Sequence, residues 1–193
     1  MRVLTRRAVV DAGELAAAVS ECASHLEPGL RPLQRTLAAG EVTVELACAD
    51  ASGRLVLVVT DVVAGPETVL RAVEGAAWWG QHVALLPRLF PEAVLQPLAP
   101  RAMIAASSFS DRALRLLRAL GPVAPDAVEC RLFQDADGPV VGLERVDVAP
   151  GPGQPRAAPA AEETSAEAPR AAAKQAAVLI ERLERLRFSE GFR

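Results

Sequence analysis

The segment Arg54–Thr60, RLVLVVT, constrains the fold more than any other stretch of the chain. Its apolar residues fall at both parities of a strand, whereas a strand with one wet face alternates. It therefore needs cover on both faces and neighbours on both edges, which makes it central in its sheet. The preceding segment, GEVTVELACAD, does alternate: Val42, Val44, Leu46 and Cys48 face one way and Thr43, Glu45, Ala47 and Ala49 the other. Asp50-Ala-Ser-Gly53 between the two is turn chemistry, so they pair as a hairpin.

Elements on either side of this hairpin follow from spacing. Leu15, Val19, Cys22 and Leu26 recur at helical intervals, and Asp11 with Glu14 three residues on forms a reciprocal cap, predicting a first helix over Asp11 to Leu26. Glu27-Pro-Gly-Leu-Arg-Pro is punctuation, and Leu33 to Leu37 makes a short strand. A second helix runs from Pro66 to about Leu86, with proline suited to its first turn. Arg101 to Ser107 is a strand, Ser110 caps a helix over Asp111 to Leu120, and Gly121-Pro122 stops it. The segments AVECRLF and VVGLERVDV flank Asp137-Gly138 as a closing hairpin.

From Pro150 to Pro169 the chain turns to Pro, Ala, Gly and Glu, which is linker composition, so the domain spans residues 1–149. Residues 170–193 follow as an amphipathic helix in which Ala172, Ala176, Leu179, Leu183 and Leu186 form a heptad seam. The seam is short and needs a partner surface, which points to a protein partner or to self-association. This tail has six basic residues against three glutamates, alternating along the helix as on a solvated face. Helix, strand, hairpin, helix, strand, helix is a mixed α/β order: a mixed central sheet flanked by helices.

Composition narrows the function classes. With 193 residues, 51% of them hydrophobic, the chain can fill a sizeable core, and its formal charge of −3 gives no overall attraction to phosphate. Asp11 and Glu14 interrupt the N-terminal apolar run before signal-peptide length, and no later run spans a bilayer, so a soluble cytoplasmic protein with no membrane association is expected. Three widely spaced cysteines, Cys22, Cys48 and Cys130, suit reduced core thiols.

The run HLEPGLRPLQRTLAAGEVTVELACADASGRLVLVVTD, with AVEGAAWWGQHVALLPRLFP and RAMIAASSFSDRALRLL after it, resembles the core of the restriction-endonuclease-like, or PD-(D/E)XK, nuclease superfamily. The likeness is to its RecB-like and mismatch-endonuclease members, and it covers roughly Asp11 to Phe133. It implies a restriction-endonuclease-like core. In that family an acid on the first hairpin strand and a second acid on the next hold Mg²⁺, which polarises the scissile phosphate and activates a water. A lysine two residues beyond the second acid shares its face and stabilises developing charge.

Carried over residue by residue, the first acid falls at Glu45, one methylene longer than the usual aspartate. The second acid falls at Val59 and the lysine at Asp61; a helix glutamine falls at Arg71 and a tyrosine at Gly75. Valine cannot bind a cation, and a carboxylate in the lysine's place reverses the local field. The resemblance with these departures implies a catalytically inactive member that serves as a binding or assembly module and needs no cofactor.

Two alternatives remain open at this stage. One is weak nucleic-acid binding through Arg71, Arg101 and the tail. The other is a metal-dependent endonuclease in which Glu45 and Asp61 hold Mg²⁺ with Arg71 across from them. Against both stands a plainer account, in which Glu45 and Asp61 are strand-end carboxylates paired with Arg71 or another arginine. Cys22 with His25 lacks a companion pair for zinc, His82 beside Trp78 and Trp79 suits a helix surface, and Ser107, Ser108 and Ser110 have no histidine or elbow to serve them. One tryptophan of the pair is expected in the core and the other partly exposed.

Overall fold

A computed structural model describes residues 5–9, 11–135 and 138–148. The linker 150–169 and the helix 170–193 expected from the sequence lie outside the described residues. In chain order the elements are β1 (Thr5–Arg7), α1 (Ala12–Glu21), α2 (Ala23–Leu26), β2 (Arg31–Ala39), β3 (Val42–Ala49), β4 (Leu55–Ala64) and α3 (Pro66–Gln81). After them come α4 (Leu86–Leu89), β5 (Arg101–Phe109), α5 (Asp111–Leu120), β6 (Asp126–Asp135) and β7 (Gly138–Arg145). The strands form one mixed sheet in the order β1-β6-β5-β4-β3-β2, with β7 on the other edge of β6.

The central position demanded by the apolar run is occupied by β4. Leu55 to Val59 are each 0% exposed. On one edge β4 runs antiparallel to β3, from Ala49 opposite Leu55 to Leu46 opposite Val58. On the other it runs parallel to β5, from Val56 beside Arg101 to Ala64 beside Phe109. A parallel pair needs a crossover, and α3 supplies it. This is the mixed central sheet flanked by helices expected from the element order.

Strand periodicity sorts the two layers with one exception: Val44, expected on the face of Leu46 and Cys48, meets α3 instead, next to the point where Thr36 of β2 takes φ 60 and the alternation breaks. Leu46, Cys48, Val56, Val58, Met103 and Ala105 share one cluster with Leu15, Val19, Ala23 and Leu26 from α1 and α2. The other face carries α3, which packs on β3, β4 and β5 through Val69, Ala72, Gly75 and Trp79, with α5 alongside it. Fully burying each such Leu or Val contributes about 1.5–3 kcal/mol. Gly75 permits the close approach of α3, since a Cβ there would lie 3.2 Å from Val44 Cγ1.

Several boundaries differ from the sequence expectation. The first helix breaks at Cys22, whose backbone (φ −103, ψ 16) leaves the helical region, and restarts as α2. The strand expected over Leu33 to Leu37 extends to Arg31–Ala39, because β3 offers it a long pairing partner, and it carries a bulge between Pro32 and Gln34. The second helix ends at Gln81 rather than near Leu86: the His82 N–H turns back to the Trp79 carbonyl and a short 3₁₀ turn separates Leu86 from α3. β1, which local sequence pattern does not predict, pairs antiparallel with Leu132–Gln134 of β6.

The tryptophans divide as expected. Trp79 is 3% exposed and donates from Nε1 to the Ala38 carbonyl at 3.1 Å. Trp78, partly exposed, stacks on His82 with ring centroids 4.0 Å apart and lies over Gly40. Gly40 has φ 68, in the left-handed region open to glycine, and a Cβ there would meet Trp78 Cδ1 at 2.7 Å.

Candidate functional site

The β3–β4 ladder stops at Leu46 opposite Val58, and side chains take over where backbone pairing ends. Glu45 projects to the α3 face. Its Oε2 accepts from the Thr60 backbone N–H at 2.9 Å and its Oε1 from Arg71 Nη1 at 2.9 Å. Arg71 Nη2 donates to the Thr60 carbonyl at 3.0 Å, which closes a ring of three hydrogen bonds through a single peptide residue. The side chains of Arg71 and Glu45 are 32% and 23% exposed. A guanidinium thus sits between a carboxylate and a carbonyl oxygen, and its planar fork matches the spacing of both acceptors.

Val59 is fully buried beside Ile104 and offers no polar atom. Asp61 is tied to the start of α3: its Oδ2 accepts from Thr68 Oγ1 at 2.7 Å, and Thr68 Oγ1 accepts from the Gly65 N–H at 3.2 Å. Thr68 lies in the first turn of α3, where the helix dipole favours a negative charge. Asp61 therefore anchors the crossover helix to the strand that feeds it. Gly75 lies one turn beyond Arg71, at the contact with Val44 already described.

A divalent ion such as Mg²⁺ demands near-octahedral oxygen ligation. Here both Glu45 oxygens and the Thr60 carbonyl accept from N–H donors, one Asp61 oxygen accepts from Thr68, and Val59 contributes nothing. A fixed positive charge also stands where the oxygens converge, so this donor set as arranged does not fit the ion. Among the described residues no group of three or more His, Cys, Asp or Glu converges on a metal-sized point.

Arg101 lies at the other end of the sheet, at the start of β5. Its guanidinium is held by Glu27, by Asp126 at 2.8 Å and by Asp50 at 3.4 Å, and Glu27 also pairs with Arg145 at 3.2 Å. Asp50 turns the β3–β4 hairpin: its Oδ1 accepts from the Ser52 and Arg54 backbone N–H groups at 2.9 and 3.0 Å and from Ser52 Oγ at 2.6 Å. Burial pushes the Asp50 carboxyl up, but these hydrogen bonds and the Arg101 charge outweigh it and hold it below the usual carboxylate range. Desolvation lowers the Arg101 value, and Glu27 and Asp126 more than reverse this. Both arginines assigned to nucleic acid from the sequence, Arg71 and Arg101, have their guanidiniums bound to carboxylates of the same domain.

The remaining candidates resolve simply. Ser110 Oγ caps α5 by accepting from the Ala113 N–H at 3.2 Å. Burial pushes the Cys48 and Cys130 thiols up to about 12, so both are protonated and unreactive at neutral pH. His82 caps the C-terminus of α3 with Nδ1 2.7 Å from the Trp78 carbonyl oxygen. Sequence reasoning missed Thr60 and Thr68 as participants. The signal for Thr68 was available, because a threonine three residues after Gly65 and just past Pro66 is placed to bond the helix start. Thr60 acts through its backbone, which the side-chain pattern does not reveal.

No protein-family model matches this chain, and no curated protein matches it. Solved structures similar to it include a repair endonuclease from Pyrococcus abyssi, with 19% identity and a TM-score of 0.39 over 55% of this chain and 42% of that one. EndoMS in a complex with double-stranded DNA is similar at 23% identity and TM-score 0.36, over 55% of this chain and 39% of that one. EndoMS in its apo form is similar at 19% identity and TM-score 0.39, over 60% and 45%. The chain thus spans less than half the length of each of these structures.

Proposed function

We propose that this domain is a nuclease-derived module that has lost catalysis and acts by binding. The observation that carries the reading is the position of Arg71, whose guanidinium bridges the Glu45 carboxylate and the Thr60 carbonyl where a catalytic cation would need those oxygens. The planar guanidinium is fixed by both acceptors at once, which leaves that place to no other cation. Val59 and Asp61 in the places of the second acid and the lysine support the same conclusion.

The binding is assigned to a protein partner or a second copy of the chain through residues 170–193, on the strength of their heptad seam. Weak nucleic-acid contact is the lesser reading, since Arg71 and Arg101 would have to exchange carboxylate partners for phosphate. No helix among the described residues is long and apolar enough to cross a membrane. The free, buried Cys48 and Cys130 suit the reducing cytoplasm, where we place the protein.

Calorimetric titration of Mg²⁺ and Mn²⁺ into the full chain tests the loss of catalysis, with Asp61→Ala as control. The expected result is no saturable binding to either protein and no cleavage of duplex DNA in either metal. Binding abolished by the substitution, together with cleavage lost in Glu45→Ala, would establish instead an endonuclease with relocated ligands. Self-association is read separately from molar mass against concentration, and its loss on deleting residues 170–193 is expected.

A further inference from the structure

We propose that the surface of residues 85–98 docks a second copy of this chain, with Leu85, Leu89 and Val94 as apolar anchors and Arg88 paired with the partner's Glu92. The inference rests on the reading of this domain as a binding module and adds a contact among the described residues. Exposed large hydrophobic side chains are concentrated here. Among the described residues they are Val63, Leu85, Leu89, Val94, Leu98 and Val123, so four of the six fall in this one segment. Single exposed leucines are ordinary, whereas a cluster of them marks an interaction surface.

The segment is fixed in place with one side bare. Leu85 has helical backbone (φ −83, ψ −21) and leads into α4, so Leu85 and Leu89, four residues apart, lie on the same side of this turn. Leu86 and Phe90, also four apart, are buried and hold the segment to the domain. Beyond α4 the Ala93 N–H turns back to the Phe90 carbonyl at 3.1 Å, which keeps Val94, 74% exposed, close to the leucines. The Gln96 N–H then donates to the Gly53 carbonyl at 2.8 Å and pins the chain to the β3–β4 turn. Pro87, Pro91 and Pro97 set φ and carry no N–H. Such a surface brings few donors to desolvate and loses little chain entropy on binding.

Charge selects the occupant. Arg88 and Glu92 are the only charged residues in the segment, both are exposed, and neither has an ion-pair or hydrogen-bond partner among the described residues. One charge of each sign beside an apolar patch does not suit a polyanion or an acidic peptide. It is self-complementary: about a two-fold axis Arg88 faces the partner's Glu92, and the symmetry repeats the pair on the other side of the apolar contact. The heptad seam of residues 170–193 is short and marginal alone. A second contact supplied by the domain makes the same self-association stronger.

The test is sedimentation equilibrium of the full chain over a range of concentrations, with far-UV circular dichroism of each variant to check folding. A dimer is expected for the wild type. Leu89→Glu and Val94→Glu should each weaken it about a hundredfold and keep the fold, since both side chains are exposed in a single copy. Val63→Glu, an equally exposed apolar position at the other end of β4, should leave the dimer unchanged. Arg88→Glu should weaken it about tenfold, and adding Glu92→Arg should restore it, as pairing between copies requires. A wild type that stays monomeric would give the surface to a different protein and overturn the proposal, as would a dimer indifferent to the Leu89, Val94 and Arg88 substitutions. A dimer lost on deleting residues 170–193 but untouched by these substitutions would overturn it and leave the tail reading standing. The converse would overturn the tail reading alone.

Discussion

Arginines anchor both ends of the sheet, and they do different work. Arg101 stands among Glu27, Asp50 and Asp126 and ties the end of α2, the β3–β4 turn and the start of β6 to the first residue of β5. Its cage holds a surplus of acid, so the arginine is indispensable to the groups around it. Arg71 faces one carboxylate and one backbone carbonyl, in a ring that fills the place where β3 and β4 stop pairing. The first arrangement is a clasp between loops. The second fills a polar opening at the strand ends.

Arg101→Ala leaves three carboxylates facing one another and should cost the most, about 2–3 kcal/mol after allowance for their partial exposure, seen as a Tm lowered by roughly 4–12 °C. Arg71→Ala removes two charge-assisted hydrogen bonds from more exposed groups, and a loss of about 1–2 kcal/mol is expected in denaturant unfolding. The same variant frees the Glu45 carboxylate and the Thr60 carbonyl, so Mn²⁺ should raise its Tm and leave that of the wild type unchanged. An Arg71→Ala protein indifferent to Mn²⁺ would mean that the opening is structural only.

Asp61→Asn keeps the shape but weakens the contact with Thr68 and the helix start, for about 0.5–1 kcal/mol by the same measurement. The smallest effect is in acid. Asp50 has its folded value depressed, so its contribution to stability is complete above the unfolded value of about 3.9 and is lost as pH falls through the lower folded value. Asp50→Asn should flatten the stability profile below about pH 4 and lower stability at pH 7.

Much of the fold was legible because it depends on local pattern. The two-sided burial of β4 follows from an apolar run at both parities, and the Asp50 turn, the Pro66 start of α3 and the Ser110 cap each follow from chemistry within four residues. Boundaries set by a distant partner were not legible: β2 is longer than its own pattern suggests because β3 pairs with it, and β1 exists only because β6 leaves an edge open.

The candidate site divides in the same way. From the sequence alone came the expectation that Glu45, Val59, Asp61 and Arg71 belong to one site at the β3–β4 hairpin and α3. Only the tertiary structure decided what they do. The ring joins β3, β4 and α3 across separations of 15, 26 and 11 residues, and one of its members is a backbone carbonyl. Sequence carries the type of each side chain and its local direction; which donor reaches which acceptor is fixed only when the helix is packed against the sheet.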